Sequence, residues 1–457
     1  MNATSLIANM LHSLGERMAG WLINDPASGQ YKLAREVFTD KALFELEMRH
    51  IFEGNWIYLA HESQVAAPHD FLTAAIGRQP VLLTRQADGR IGCFVNVCQH
   101  RGARVCRERR GNQKLFTCGF HGWTYDGAGA LVNVTEEKQG AYPGSFNRAS
   151  LGLKPVARLE SYRGFIFASL NPDVLPLTEY LAGARAFIDL FADQSESGYE
   201  VLRGATRYTY RGNWKLQAEN GLDGYHVATV HANYVMTAQR RVAGESRNDT
   251  KVGDLSAIAR RPGGFVAFDH GHAVLWFEYP NFRDRPNFEH YEHFQKKFGP
   301  QRTLWMCERF RNLLLFPNVF LMDQTSTQLR IIRPISVDET EIITYCIAPV
   351  GESSAARALR IRQYEDFFNA SGMATPDDLT EFNNCQIGFN GRSAHWNEMS
   401  RGAARWIEGA DAEGRDMGFD ARLTGADTAD EGLYISIHED WLARMQKALA
   451  QELAAAK

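Results

Sequence analysis

No run in this chain approaches the roughly 18 consecutive apolar residues that a membrane helix needs, and the densest stretch is the short Leu313–Phe316. The first residues, MNATSLIANMLHSLGERMAGWL, mix apolar positions with His12, Glu16 and Arg17. They lack the charged start, long apolar core and small-residue cleavage site of a secretory leader, so a cytoplasmic location is the expectation. There is no excess of positive charge: 50 Lys and Arg stand against 54 Asp and Glu, a net charge of -4. Without a basic stripe or tail, neither nucleic acid nor an anionic membrane is expected as a partner. Internal repeats and low-complexity tracts are also missing, which excludes a solenoid. No GxGxxG-type nucleotide fingerprint occurs either.

Cysteine is scarce and odd in number. The seven are Cys93, Cys98, Cys106, Cys118, Cys307, Cys346 and Cys385, which does not suit a secreted disulfide framework. Five are expected to be plain thiols. Cys98 and Cys118 differ, because each has a histidine at ligand spacing.

What is present is ordinary globular material: 457 residues, 44% hydrophobic and 23% charged, enough for two or three domains. Residues 1–55 read as helical, with Leu43, Phe44, Leu46, Met48, Ile51 and Phe52 at near-helical spacing. From 56 to 172 the texture becomes short β-type runs: IYLAH, FLTAAIG, PVLLTRQ, IGCFVNVC, KLFTCGF and GFIFASL. The segments 86–90 and 126–129 read as hairpin loops within a compact antiparallel domain. Asn171-Pro172 and Leu175-Pro176 mark a boundary, and 173–457 mixes helices with strands in one larger domain. In that domain EYLAGARAFIDLF, the segment from Asn213 to Val235 and ARALRIRQYEDFFNASG read as helices. ATRYTYRG, VFLMDQTSTQLRIIRPIS and TEIITYCIAPV read as strands. The fold class is α+β.

Two constellations carry chemistry. The first is Cys98-Gln99-His100, then seventeen residues, then Cys118-Gly119-Phe120-His121. Each loop supplies one soft thiolate and one imidazole, the pairing for a [2Fe–2S] cluster with two Cys on one iron and two His on the other. Zinc is the alternative, but zinc loops usually keep like ligands together. The second lies in NWKLQAENGLDGYHVATVH, residues 213–231. Asp223 and His226 are three apart and share a helix face. His226 and His231 are five apart, so both reach one metal only if the helix ends or is distorted there. Two His and one carboxylate with open positions form the mononuclear iron(II) arrangement.

CQHRG and CGFHGW resemble the two halves of the Rieske motif, and residues 213–231 resemble the catalytic signature of Rieske oxygenases. Across nearly the whole chain, FPNVFLMDQ, LRIIRPI, RIRQYEDFFN, GMATPDDL and MSRGA are similar to the large (α) subunits of benzoate, toluate, halobenzoate and anthranilate 1,2-dioxygenases. The resemblance implies an antiparallel Rieske domain and a helix-grip-like (START-type) catalytic domain with residues 1–55 packed on it. It implies a Rieske [2Fe–2S] cluster on Cys98, His100, Cys118 and His121. A mononuclear Fe(II) is expected on His226, His231 and a distant aspartate, Asp378 of the Asp377-Asp378 pair. Asp223 is expected to link His226 to His121 of an adjacent copy, with Asn220 and Tyr225 in support.

The implied reaction places both atoms of O2 on carbons 1 and 2 of an aromatic carboxylate. Electrons would come from NADH through a separate reductase carrying FAD and a [2Fe–2S] cluster, and a small (β) subunit would complete an α3β3 assembly. GMATPDDL and FHGWTY look benzoate-like, whereas ENGLDGYH looks anthranilate-like. By position Phe368 and Met373 are expected near the substrate, and Arg330 or Arg333 is expected to anchor its carboxylate. A Rieske monooxygenase or demethylase, and a non-catalytic electron-transfer module, are the alternative functions.

Overall fold

The computed structural model describes residues 3–137, 140–242, 261–279, 281–324 and 327–456. The chain forms two compact units, one of residues 48–177 and one of residues 1–47 with 178–457.

The smaller unit is antiparallel throughout. Ile91–Val95, Gln79–Arg85, Asp70–Ile76 and Arg110–Asn112 make a four-stranded sheet in that order. Leu131–Asn133, Thr124–Asp126 and Leu115–Thr117 make a second sheet; Arg158–Tyr162, Phe165–Ser169 and Ile57–His61 make a third. The β-type runs read from the sequence lie on these strands, and both expected loops join adjacent strands of a hairpin. The core holds Phe71, Leu82, Phe94, Phe116, Trp123 and Tyr125. Their burial closes the sheets around the two loops that carry the Cys-His pairs.

In the larger unit a ten-stranded antiparallel sheet runs from Tyr199–Val201 through Glu339–Pro349, Thr327–Ser336, Val319–Asp323, Arg309–Leu315, Ala273–Glu278, Gly263–Ala267 and Leu423–Gly425 to Ile407–Glu408. Thr206–Tyr210 also pairs with Glu339–Pro349. The central strands Arg309–Leu315 and Val319–Asp323 are buried at every residue. Between them, the peptide bond Phe316-Pro317 is cis.

A 24-residue helix, Gly432–Ala455, docks with Trp441 and Met445 buried. Its Trp441 Nε1 donates to Glu47 Oε1 at 2.8 Å, and Trp214 Nε1 donates to Glu47 Oε2 at 3.0 Å. Lys215 Nζ lies 2.5 Å from Glu47 Oε1, an ion pair sealed from solvent. These contacts fasten the helix Trp214–Asn220, the first part of the site, to the rest of the unit.

The structure differs from three expectations. Residues 1–55 are not all helix, because Leu22–Asp25 and Gln30–Ala34 form a hairpin around the turn at Pro26-Ala27-Ser28-Gly29. VFLMDQTSTQLRIIRPIS is two strands rather than one, paired antiparallel, with Thr325 and Ser326 outside the described residues. The segment 213–235 is three helices rather than one, Trp214–Asn220, Val227–Val230 and Ala232–Val242, separated by the turn at Gly221–Tyr225.

Candidate metal centres and substrate pocket

Both cysteine-bearing loops are built on the same backbone template. Cys98 N–H donates to Ala103 O and Gly102 N–H to Cys98 O; Cys118 N–H donates to Trp123 O and Gly122 N–H to Cys118 O. Each turn closes on a glycine with positive φ, 75° at Gly102 and 72° at Gly122, where an L side chain is strained. At Gly122 a Cβ would also collide with Thr135 Oγ1.

The cysteines face the core and the histidines face outward. Cys98 and Cys118 are buried, His121 is half-buried and His100 is exposed. The two imidazoles lie 4.5 Å apart between ring centroids, and His100 stacks on Trp123 at 4.9 Å. Tyr125 Oη lies 3.3 Å from Cys98 Sγ and accepts from Gln99 N–H at 3.0 Å. Burial, with the hydrogen bond to Cys98 next, raises the Tyr125 phenol. Two inward thiols opposite two outward imidazoles fit a cluster with chemically distinct irons. The other two cysteines of this unit are used otherwise. Burial pushes the Cys93 thiol up to about 12, and Cys106 anchors the loop through a two-way bond between its backbone and the Asn96 amide.

The second centre sits where the helix breaks. Asn213 caps Trp214–Asn220 by accepting from Lys215 N–H. At Gly221 a Cβ would strike the Phe320 ring, so only glycine lets the chain turn this close to the sheet. His226 precedes the single turn Val227–Val230 and His231 follows it with non-helical φ/ψ, which brings residues five apart onto one point.

His226 Nε2 and His231 Nε2 are 3.2 Å apart, and Asp378 Oδ1 is 3.4 Å from each. Asp378 enters from the first turn of the helix Thr375–Gly388. Among the described residues this is the one group of three such donors within 4.8 Å. Asn220 Nδ2 donates to Asp378 Oδ1 at 3.2 Å and lies 3.4 Å from His226 Nε2.

Asp223 Oδ2 lies 3.2 Å from His226 Nδ1, and Asp223 Oδ1 accepts from Tyr225 N–H at 2.7 Å. Burial alone would lower His226, but Asp223 and Asp378 override it and hold the imidazolium up to about 10. Burial lowers His231. Three converging lone-pair donors in a field that favours positive charge fit a divalent cation.

Beside this corner is a pocket with about 600 Å³ of empty space, part of it open to solvent. Its wall includes Phe367, Phe368, Leu275, Phe277, Asn312 and Arg330. Phe368 is part of that wall. Met373 is outside the pocket lining and packs against the Tyr234, Phe367, Phe368 and Ala374 cluster. Arg333 is also away from the pocket, exposed and paired with Glu341 at 2.8 Å. The reason is strand geometry, since residues three apart point to opposite faces and only one arginine can look inward. Leu275 and Phe277 escaped the sequence reading, although their i, i+2 spacing on one strand was the available signal. Asn312, which donates to Gly221 O at 2.9 Å, carried no such signal.

Known proteins are similar to this chain in both units. Residues 55–162 match the Rieske [2Fe-2S] domain, and residues 200–455 match the ring hydroxylating alpha subunit (catalytic domain). The toluate 1,2-dioxygenase subunit alpha of Pseudomonas putida is 51% identical over 429 residues, covering 94% of each chain. The 2-halobenzoate 1,2-dioxygenase large subunit of Burkholderia cepacia is 47% identical, covering 94% of this chain and 92% of its own. For the anthranilate 1,2-dioxygenase large subunit of Acinetobacter baylyi the identity is 46%, with 91% and 90% covered. Among solved structures, naphthalene 1,2-dioxygenase with indole bound superposes with a TM-score of 0.80 at 25% identity, covering 95% of this chain and 96% of that one. The two matched domains imply a Rieske cluster and a mononuclear iron as cofactors. Relatives of one kind thus span nearly the full length, and the chain belongs to the large (α) subunits of the Rieske-type ring-hydroxylating dioxygenases.

Proposed function

We propose that this subunit catalyses 1,2-dioxygenation of a small aromatic carboxylate of the benzoate type, with electrons from NADH delivered by a separate FAD/[2Fe–2S] reductase. The observation that carries the reading is the kinship: three relatives at 46–51% identity are named for toluate, 2-halobenzoate and anthranilate, all carboxylated arenes. The apolar pocket beside the His-His-Asp corner supports it, because aromatic walls suit a planar ring.

In this reading Cys98, His100, Cys118 and His121 hold the Rieske cluster, and His226, His231 and Asp378 hold the mononuclear iron. When bound, these groups supply electron relay and O2 activation. The chain's own side chains do the rest. Asn220 steadies Asp378. Asp223 holds the far nitrogen of His226, its backbone-fixed carboxylate setting that ring's orientation. Phe367 and Phe368 exclude water from the ring's place. Asp223 would also accept from His121 of a neighbouring copy, within an α3β3 assembly with a small subunit. A cytoplasmic setting suits the free thiols and the NADH supply. Among the described residues, no helix is long and apolar enough to cross a membrane.

The test is product analysis under labelled O2 with benzoate, NADH, the small subunit and a matched reductase. Both labelled atoms in one cis-dihydrodiol carboxylate are expected. A product with a single labelled atom overturns the reading in favour of a monooxygenase.

A further inference from the structure

Arg330 stands apart from the other buried cations of the chain. It is 2% exposed, yet its Nε and Nη2 have no hydrogen-bond partner. Among the described residues, the other buried basic side chains are ion-paired: Lys215 with Glu47, Arg285 and Arg311 with Asp323, Arg309 with Glu413, and Arg360 with Glu352. An unpaired guanidinium in a low-dielectric interior is unfavourable, and a native protein that keeps one calls for a partner to complete it. The Phe368 ring, 4.9 Å from the guanidinium carbon, offsets part of that cost through its π face.

Position gives the orphan donors a use. Arg330 lines the pocket that also contains His226, His231, Asp378 and Phe368. Its strand neighbours hold it there: Arg330 pairs with Phe320 on one side and Thr344 on the other, both buried.

We propose that Arg330 is the anion-recognition residue of this pocket, its free guanidinium edge taking the carboxylate of the aromatic substrate while Phe368 packs beside it. This rests on the reading of the substrate as an aromatic carboxylate, and it names the residue that makes the enzyme require one. A planar guanidinium fork matches two carboxylate oxygens, which an ammonium point charge does not. The substrate then supplies the missing counter-ion, so a neutral arene of the same shape leaves the cation unpaired and is discriminated against.

The experiment uses the purified oxygenase without reductase, so that no turnover occurs. Binding of benzoate and of toluene is measured by calorimetry, and melting midpoints are recorded with and without benzoate. Wild type is expected to prefer benzoate. R330Q should lose about 10- to 100-fold in benzoate affinity, the usual effect of removing a charge-assisted pair, with toluene affinity unchanged within about twofold. R330K, which keeps the charge but not the fork, should also lose benzoate affinity. The ligand-free midpoint of R330Q should be no lower than wild type, because a buried unpaired charge has been removed, and its benzoate-induced shift should vanish.

A purely structural arginine would give the opposite pattern: a lower ligand-free midpoint with the benzoate preference intact. A wild-type preference that survives in both variants overturns the assignment alone. A wild-type protein that binds toluene as well as benzoate overturns the substrate reading and this assignment together.

Discussion

The Asn220 amide donates to Asp378 Oδ1 across 3.2 Å, joining the helix before the break to a carboxylate more than 150 residues further along the chain. The same oxygen faces both imidazoles, so Asn220 fixes which lone pair of Asp378 remains for a metal. Replacing it with Ala should lower mononuclear iron affinity by about 10- to 100-fold, the usual effect of losing an outer partner of a ligand. Iron analysis together with the visible absorbance of the cluster checks this: the iron-to-cluster ratio should fall while the cluster band is retained.

Asp377 and Asp378 are adjacent but not equivalent. Asp378 Oδ1 is 3.4 Å from both Nε2 atoms, whereas Asp377 Oδ2 reaches only the far nitrogen of His231, at 3.8 Å. D378A should purify without mononuclear iron, and D377N should keep it at reduced affinity. If D377N lost the metal and D378A retained it, the ligand assignment would be reversed.

Tyr125 should tune the cluster. Its hydroxyl near Cys98 Sγ stabilises the reduced, more negative state, so Y125F should lower the reduction potential. A hydrogen bond worth about 1 kcal/mol corresponds to about 40 mV for one electron. Redox titration followed by paramagnetic resonance reads the shift directly, and an unchanged potential would remove Tyr125 from this role.

His272 predicts an acid limb of stability. The ring is fully buried between two backbone groups: Nε2 lies 2.9 Å from Tyr180 O, and Phe316 N–H donates to Nδ1 at 2.9 Å. Those bonds require the neutral tautomer, and burial pushes the group down to about 3 from an ordinary value of 6.5. Below pH 6.5 the unfolded chain therefore binds a proton that the folded chain refuses. Stability from this group is full above pH 6.5 and declines as pH falls toward 3, by roughly 2 kcal/mol at pH 5. Denaturant melts of wild type and H272Q between pH 5 and 7.5 should show a slope that the variant lacks.

Legibility from sequence followed the range of the interaction. The Cys98–His100 and Cys118–His121 pairs were readable because each is one local turn with its own glycine, needing no distant partner. His226 and His231 were readable as residues but not as a geometry. Their five-residue spacing defeats a straight helix, and what joins them is the single turn Val227–Val230, which ends at His231 with non-helical φ/ψ. Asp378 came only from resemblance, since nothing local marks one carboxylate of a helix as a ligand. The hairpin Leu22–Ala34 was missed although Asp25-Pro26 and Ser28-Gly29 are turn residues, because flanking helical spacing outweighed two short strands. Arg330 and Arg333 could not be ranked until the strand's alternation was fixed by burial. Once it is, Arg330 alone faces the pocket.

The corner formed by His226, His231 and Asp378 has a consequence for the integrity of the chain. Its donors come from both ends of a single helical turn and from a helix much later in sequence, so an ion there closes a long loop of polypeptide. Because the donors meet only in the folded chain, binding free energy at this corner is folding free energy. Oxygen chemistry that expelled the ion would therefore cut a tie as well as stop turnover. The damaged subunit would be left both inactive and easier to unfold, and so easier to clear.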